Sequence, residues 1–179
     1  MAQRELEARL AALEAKITEL QDIEDIRNLM YNYTYFVDYA DKDKVMECFT
    51  DDCYMDLRVR GGGTYAPKVG RIEGKKAMKE NVFEPHPGTK DHYTNAHMIA
   101  NPVITLQGKT AKGTFYLIIP ASYPAPEGKK GEQAYWDHGR YDMEFVKKDG
   151  KWKISGFRFL WNFHAPYEDG WVKTPMARG

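Results

Sequence analysis

The chain has 179 residues, of which 26 are basic and 26 acidic, so its formal net charge is zero. This balance, a pI near 7.0 and the lack of a basic cluster argue against nucleic acid or an anionic membrane as the main partner, because both are bound through clustered Lys and Arg. The length and the 42% hydrophobic content indicate one globular domain with a core large enough to contain a pocket.

Cysteine use and the first residues indicate the compartment. Cys48 and Cys53 have no Cys or His set around them with zinc spacing and do not form a disulfide framework. The opening residues, MAQRELEARL, are charged where a signal peptide requires an apolar core, and no apolar run reaches the length of a membrane span. We therefore expect a cytoplasmic protein.

The chain opens with the pattern of an amphipathic helix over residues 1–21. Its apolar residues follow the a/d spacing of a helix that packs on another helix. Because fewer than three heptads are marginal for a free-standing coiled coil, this helix either lies on its own domain or contacts a neighbouring subunit. The apolar residues are Leu6, Leu10, Leu13, Ile17 and Leu20.

Two further helices are expected before the first strand. After Leu20 the apolar seam changes phase, which predicts a break at Gln21–Asp22 and the start of a second helix. That helix runs through IEDIRNLMYNYTYFVDYAD. A short third helix follows Asp41, which provides an N-cap.

From Asp52 onwards extended segments with β-branched and aromatic residues dominate. Turns at Gln107–Gly108 and Asp149–Gly150 join some of them into hairpins. Helices followed by antiparallel strands predict an α+β fold, in which a strongly curved antiparallel sheet wraps on the N-terminal helices as a cone-shaped barrel. The segments are CYMDLRV, HYTNAHMIANPVITLQ, KTAKGTFYLIIPASY, YWDHGRYDMEFVKKDG and KWKISGFRFLWNFHA.

The run IEDIRNLMYNYTYFVDYADKDKVMECFTDDCYMDL resembles the opening of the SnoaL-like group of the nuclear transport factor 2-like superfamily. This group includes scytalone dehydratase and bile acid 7α-dehydratase. HMIANPVITLQGKTAKGTFYLIIP and GRYDMEFVKKDGKWKISGFRF also lie in the order and spacing of its later strands. The resemblance implies a single domain with a helix at 1–21, a cone at 22–165 and a tail at 166–179. It leaves the activity open, since this fold hosts dehydratases, isomerases, cyclases, dehydrochlorinases and binding proteins.

The resemblance also implies site residues. Tyr33 and Asp38 match the Tyr and Asp that these dehydratases place at the end of the long helix, and His97 matches their catalytic His. Tyr141 matches a polar residue on the penultimate strand. On this basis we expect Asp38, His97 and Tyr33 to be catalytic.

Two positions depart from the family pattern. The second proton-handling residue of the family falls at Ile119 or Ala121, and the tyrosine that scytalone dehydratase carries on its first strand falls at Leu57. None of these side chains can titrate. We therefore expect the chain to depart from the dehydration routes of both enzymes.

Asp38 and His97 also form an acid–base pair on chemical grounds. A carboxylate beside an imidazole fixes its tautomer and raises its basicity, so that the other nitrogen can accept a proton near neutral pH. The alternatives are a capping Asp and a structural His. Tyr33 and Asp38 point about 140° apart on an ideal helix, so their convergence rests on the resemblance. Tyr33 and Tyr141 are either phenolic donors to a substrate oxygen or ordinary core aromatics.

Aromatic residues make up 13% of the chain, and part of them fall on segments expected to face one cavity. This predicts a flat, apolar ring system bound in a dry pocket. The residues expected to bind it are Tyr35, Tyr54, Phe115, Trp136, Tyr141, Phe159 and Trp161.

Strand alternation assigns faces to two further histidines. His138 is an odd number of residues from Tyr141 and is expected to face away from it. On the last strand, His164 shares a face with Arg158 and Asn162, for which we expect a solvent or subunit contact. The opposite face carries Phe157, Phe159, Trp161 and Phe163.

The sequence contains no phosphate-binding glycine loop, serine elbow or HExxH motif, so we expect neither a cofactor nor a metal. The prediction is a lyase, either a dehydratase or a retro-aldol C–C lyase that releases formaldehyde, acting on a small hydrophobic, hydroxylated aromatic or polycyclic molecule. The alternatives are an isomerase or polyketide cyclase, and a non-catalytic protein that binds a hydrophobic ligand. We expect a homo-oligomer, dimer or trimer, with Arg58, Arg60 and the following glycines as a candidate lid.

Overall fold

A computed structural model describes residues 1–59, 70–85, 94–124 and 131–175. The expected lid at Arg60 and Gly61–Gly63 and the end of the tail, 176–179, lie outside these residues. Within them, no helix is long and apolar enough to cross a membrane. The elements are α1 (Ala2–Asp38), α2 (Lys42–Glu47), β1 (Phe49–Val59), β2 (Arg71–Glu73), α3 (Lys75–Met78) with a π-helix (Lys79–Phe83), β3 (Met98–Gln107), β4 (Thr110–Pro124), β5 (Glu132–Lys148), β6 (Lys151–Pro166) and α4 (Gly170–Lys173).

The N-terminal helix is one continuous element, so the expected break at Gln21–Asp22 is wrong. α1 contains no glycine or proline that would interrupt it over its 37 residues. The change in apolar phase marks instead the point at which α1 meets the sheet. Residues 1–21 are exposed, so this segment does not lie on its own domain, whereas the next turns are buried. Their buried apolar residues are Ile26, Met30, Tyr33 and Val37.

Six strands form one sheet in the order β2-β1-β6-β5-β4-β3. The expected α+β class is confirmed. The sheet is mixed rather than wholly antiparallel, because β1 pairs in parallel with β6. All the other neighbours are antiparallel. The long stretch of chain between β1 and β6 supplies the crossover that a parallel pair requires.

The β5–β6 hairpin turns where the sequence predicts it. Asp149 and Gly150 have φ angles of 50° and 76°, and Lys148 pairs with Lys151 across them. Two central residues with positive φ are the requirement of a two-residue turn that matches strand twist.

The core lies between the second half of α1 and the sheet. Alternate residues of β4 and β5 point into it, as the period of a half-buried strand requires. Phe115 and Leu117 do so from β4, and Tyr141 and Met143 from β5. The apolar cavity described below opens within this core.

A β-bulge at Asn162 reverses the faces of the last part of β6. His138 pairs with Phe163 and Gly139 with Trp161, so Asn162 has no partner in the register. An inserted residue moves every following side chain to the opposite face. His164 is therefore buried, with 5% exposure, and its expected place at a solvent or subunit contact is wrong. Phe163 turns outward and stacks on Trp171 with ring centroids 4.9 Å apart.

Candidate active site

The end of α1 positions Asp38. Ala40 adopts a positive φ of 54°, and two backbone bonds close the helix there, from Ala40 N–H to Val37 O at 3.1 Å and from Asp41 N–H to Phe36 O at 2.9 Å. This is the pattern of a Schellman C-cap. It ends α1 directly after Asp38, so that the carboxylate faces the start of β3.

Asp38 holds His97, the residue before β3, through three contacts. The imidazole Nδ1 lies 2.5 Å from Asp38 Oδ1, and the His97 backbone N–H donates to the two carboxylate oxygens at 3.2 and 3.0 Å. Both side chains are 11% exposed. With Nδ1–H donated to Asp38, the neutral ring carries its lone pair on Nε2, which is the arrangement of a general base.

His97 lines a cavity of about 280 Å³. The wall is mainly apolar, and it is built from α1, β1, the π-helix and strands β4 to β6. Tyr33 lines this cavity but Asp38 does not, so the two side chains diverge as an ideal helix predicts. Asp38 is connected to the cavity wall through its contact with the imidazole of His97. Apolar lining residues include Val37, Met55, Leu57, Phe83, Leu117 and Phe157.

Tyr33 and Tyr141 both line the cavity. Burial raises the pKa of Tyr33 well above its ordinary value and also raises the pKa of Tyr141, so both remain neutral phenols. A neutral phenol can donate its proton to a hydrogen-bond acceptor in the cavity.

Of the residues expected to bind a ring system, Tyr141, Phe159 and Trp161 line the cavity. Phe115 is buried in the core beside it and is not part of the lining.

Three further aromatic residues expected to bind a ring system do not line the cavity. Tyr35 is 63% exposed, because it follows Tyr33 by two residues and so points to the other side of α1. There it borders a groove beside Asp38 and His97. Tyr54 and Trp136 each neighbour an inward-facing residue on their strands and therefore face outward. The Tyr54 ring lies under the guanidinium of Arg71, 3.8 Å from its carbon.

Asp137 and Tyr123 were not predicted from the sequence, although both line the cavity. The alternation of side chains along a strand could have found them, because residues separated by an even number point to the same face. Asp137 lies four residues before Tyr141, and Tyr123 lies four residues after Ile119. His138, as expected, faces away from Tyr141, and its Nδ1 lies 3.1 Å from Asn162 Nδ2. Burial lowers the pKa of His138.

The described residues form neither a reactive cysteine site nor a metal site. Burial raises the pKa of both Cys48 and Cys53 to about 11, so the thiols stay protonated at neutral pH. No group of three His, Cys, Asp or Glu among the described residues is arranged to hold a metal ion.

The model of the SnoaL-like domain family matches residues 18–158. The chain belongs to the SnoaL-like family. This match covers the second half of α1 and strands β1 to β5 with the first half of β6. It therefore includes Asp38, His97 and the cavity-lining residues except Phe159 and Trp161.

Several proteins resemble this SnoaL-like chain. An uncharacterized protein of Mycobacterium tuberculosis (strain H37Rv) is 26% identical over 140 residues, which are 77% of this chain and 84% of that protein. A crystal structure from Novosphingobium aromaticivorans, named as a candidate scytalone dehydratase, has a TM-score of 0.68 at 20% identity and covers 85% of this chain and 91% of its own. The hexachlorocyclohexane dehydrochlorinase LinA-type3 from Novosphingobium barchaimii has a TM-score of 0.62 at 18% identity, covering 84% and 93%. These likenesses establish the fold.

Proposed function

We propose that the chain is a cofactor-independent lyase, which removes a proton from a small, hydrophobic, hydroxylated aromatic molecule and releases water or formaldehyde. The observation that carries this proposal is the imidazole of His97, which Asp38 holds with its lone pair on Nε2 at the wall of an apolar cavity. A base in such a place can act on a weakly acidic proton, because water does not compete for it.

The proposed reaction begins at His97. Its Nε2 takes a proton from a carbon next to a carbonyl group, or from a hydroxyl, and Asp38 stabilises the imidazolium that forms. Tyr141 donates a hydrogen bond to the substrate oxygen that gains negative charge. In the loss of water, the electron pair left on carbon forms the new double bond, and the hydroxide that leaves takes up a proton. In the loss of formaldehyde, the O–H electron pair forms the carbonyl group of formaldehyde, the C–C electron pair remains on the substrate as an enolate, and His97 returns its proton to that carbon.

The size of the cavity supports a substrate of one or two rings. An apolar cavity of about 150 Å³ holds one benzene molecule, and this cavity measures about 280 Å³. We therefore favour an aromatic substrate with one or two rings over a larger polycyclic one.

The named neighbours of this fold support an elimination. A dehydratase and a dehydrochlorinase both remove a proton and a leaving group from their substrates, and both are named among the similar structures. An isomerase would return the proton to the same molecule and release no leaving group. A binding protein does not require a base held in one orientation.

The proposal is tested by product analysis on aryl β-hydroxy ketones, with β-hydroxypropiophenone and its naphthyl analogue as probes. Mass spectrometry distinguishes the vinyl ketone formed by loss of water from the methyl ketone formed by loss of formaldehyde. We expect His97→Ala and Asp38→Asn to lower turnover by about 10²–10⁴-fold. Tyr167→Phe, a conservative change at an exposed tyrosine that does not line the cavity, leaves it unchanged.

Three results contradict the proposal. His97→Ala as active as the parent chain would exclude the base. A product of unchanged mass would indicate an isomerase. Binding of the probes without any product from either of them would indicate a binding protein.

A further inference from the structure

Asp137 is a buried carboxylate that lies in the cavity wall, with 4% exposure. Its Oδ1 accepts from the indole Nε1–H of Trp161 at 2.9 Å and lies 2.7 Å from Nδ1 of His164. The ring of Tyr135 stacks on His164 at 4.7 Å between centroids. The bulge at Asn162 makes this arrangement possible, because it turns His164 inward. The cavity therefore has a second Asp–His pair besides Asp38 and His97.

Asp137 lies beside the position where the family places its second proton-handling residue. That position is Ile119 or Ala121 on β4, and Ile119 is directly paired with Asp137 on β5. Side chains that lie directly opposite on adjacent antiparallel strands have Cβ atoms about 5 Å apart. The carboxylate of Asp137 therefore lies about 5 Å from the family position, on the next strand, and faces the same cavity.

Tyr123 connects the two Asp–His pairs electrostatically. Burial raises the pKa of its hydroxyl, and the negative charges of Asp137 and, more weakly, of Asp38 raise it further, while a hydrogen bond with Asn95 lowers it. The hydroxyl of Tyr123 is therefore within the field of both carboxylates. His97 and Asp137 both line the cavity, so a substrate bound there has access to both side chains.

We propose that Asp137 is the second acid–base residue of this site, and that it gives a proton to the leaving oxygen of the substrate while His97 removes a proton from carbon. This inference rests on the lyase function proposed above. His164 is a positioning residue, which holds the Asp137 carboxylate together with Trp161 and supplies the proton that Asp137 passes on.

The proton balance closes without another reactant. At the start His97 is neutral, and the Asp137–His164 pair is a carboxylate beside an imidazolium, which holds one proton more than the carboxylate beside a neutral imidazole. His97 takes the proton from carbon, the C–H electron pair forms the new double bond, and the C–O bond breaks with its electrons on oxygen. That oxygen takes the proton of the pair and leaves as water. Transfer of the proton from His97 back to the pair through water restores the starting state.

A change of leaving group tests this role. Hydroxide needs a proton in order to leave and chloride does not, so β-hydroxypropiophenone and β-chloropropiophenone differ in their need for an acid. We expect Asp137→Asn to lower the ratio of water loss to chloride loss by about 100-fold. His97→Ala is expected to lower both rates together, because both reactions begin with proton removal from carbon. Chloride loss by the parent chain is measured against the reaction without protein.

The controls separate a catalytic from a structural role. Asn retains an oxygen that can accept from Trp161, and the melting temperature of Asp137→Asn reports whether the fold is retained. Asp142→Asn changes a partly exposed carboxylate on the same strand and leaves the ratio unchanged. Equal losses of both rates in Asp137→Asn, or no loss of either, overturn the proposal. A parent chain that acts on neither probe contradicts the lyase function itself.

The N-terminal part of α1 exposes an apolar stripe. Arg9 and Lys16 lie at the g positions beside this stripe, and Glu7 and Glu14 at the e positions. In a parallel pair of helices g faces e, so that Arg9 lies opposite Glu14 of the second copy, whereas an antiparallel pair places like charges together. The five stripe residues, Leu6, Leu10, Leu13, Ile17 and Leu20, are 56–68% exposed.

We infer that a second copy of this chain covers the stripe in a parallel, two-stranded coiled coil. Leu at every d position and Ile17 at an a position favour two strands. Five apolar positions are marginal for an isolated coiled coil, but residues 1–21 continue without a break into the part of α1 that is anchored in the domain.

Cysteine cross-linking tests the orientation. Leu6→Cys places a thiol at a d position that meets its counterpart only in a parallel pair, whereas Ala8→Cys places one on the outer side of the same turn. We expect oxidation to cross-link Leu6→Cys and not Ala8→Cys, while the buried Cys48 and Cys53 do not react. Light scattering is expected to give twice the 20.7 kDa mass of the chain. A monomeric or trimeric mass, or equal cross-linking of both variants, overturns this inference.

Charge exchange provides a second readout. Arg9→Glu is expected to weaken the dimer by placing two acidic residues opposite each other, and the double variant Arg9→Glu/Glu14→Arg is expected to restore it. In an antiparallel pair Arg9 lies opposite a basic residue of the second copy, so Arg9→Glu would relieve a repulsion and strengthen the dimer, a result that contradicts the parallel arrangement.

Discussion

Tyr33 and Tyr141 are buried, neutral phenols that line the cavity and can donate to a substrate oxygen. We predict that Tyr141→Phe lowers kcat by about 100-fold, which is the effect of removing one oxyanion donor. Tyr33→Phe removes the other phenol of the cavity wall and is expected to lower kcat by about 10-fold, within the range of one lost hydrogen bond.

Steady-state kinetics on the β-hydroxy ketone probes measures both effects. Tyr167→Phe serves as the control, because Tyr167 is exposed, follows β6 and does not line the cavity. Tyr141→Phe as active as the parent chain would contradict the role of Tyr141 as a donor to the substrate.

The site residues differ in how far the sequence could predict them. Asp38, His97, Tyr33 and Tyr141 occupy family positions, and the structure brings Asp38 into contact with His97. The aromatic content alone could not assign Tyr35 to the cavity, because composition does not show the direction of a side chain. The alternation of side chains along a strand does show this direction. It would have excluded Tyr54 and Trp136 from the cavity wall and assigned Asp137 to it.

At the level of elements, Asp22 anchors α1 to the β5–β6 hairpin. Its Oδ1 accepts from Lys147 Nζ at 2.5 Å and from the indole N–H of Trp152 at 2.9 Å. Burial tends to raise the pKa of Asp22, but the hydrogen bonds from Lys147 and Trp152 outweigh it and the pKa is lowered. The carboxylate therefore stabilises the fold above its unfolded pKa of 3.8, and this contribution is lost as the pH falls below that value.

We predict that Asp22→Ala lowers the free energy of unfolding by about 1–3 kcal/mol, the effect of removing hydrogen bonds to a charged group. Asp25→Ala, an exposed change on the same helix, is the matched control and is expected to change stability by less than about 0.5 kcal/mol. Urea denaturation at neutral pH measures both values. Equal effects of the two substitutions would contradict the anchoring role of Asp22.

Two features of the elements could not be read from periodicity. The phase change after Leu20 was interpreted as a break in the helix, but it marks the place where α1 meets the sheet. The bulge at Asn162 inserts one residue into a regular alternation and moves His164 to the inside. Periodicity assumes an uninterrupted repeat, so it could not predict a face that depends on pairing with β5.

Over the whole molecule, buried groups that stay protonated link stability to alkaline pH. Burial raises the pKa of Cys48 and Cys53 from 9.0 to about 11 and raises that of Tyr33, Tyr123 and Tyr141 above 10.0. The folded chain therefore keeps protons that the unfolded chain loses. These groups contribute their full stability below pH 9.0, and the contribution is lost as the pH rises toward 11.

We predict that the free energy of unfolding falls between pH 9 and 11, and that it falls less steeply in the double variant Cys48→Ala/Cys53→Ala. The double variant lacks the two groups whose ionisation begins first. Urea denaturation followed by tryptophan fluorescence at a series of pH values measures both slopes. Identical slopes for the parent chain and the double variant would contradict the assignment to the thiols.

The overall architecture was the most predictable level, because the order of helices and strands and the family resemblance indicate the same α+β fold. The parallel pairing of β1 with β6 was not predictable in the same way, since it depends on contacts between the two ends of the chain. The second Asp–His pair depends on that same sheet and on its bulge, so it emerges only from the folded structure.

Deuterium exchange into acetophenone tests the central claim most directly, because it measures proton removal without a leaving group. In D₂O the parent chain is expected to exchange the methyl protons next to the carbonyl, with Tyr167→Phe equal to it. Asp38→Asn is expected to be slower by about 10²-fold or more, and His97→Ala is expected to exchange no faster than the solution without protein. Exchange by His97→Ala at the rate of the parent chain would contradict the assignment of His97 as the base.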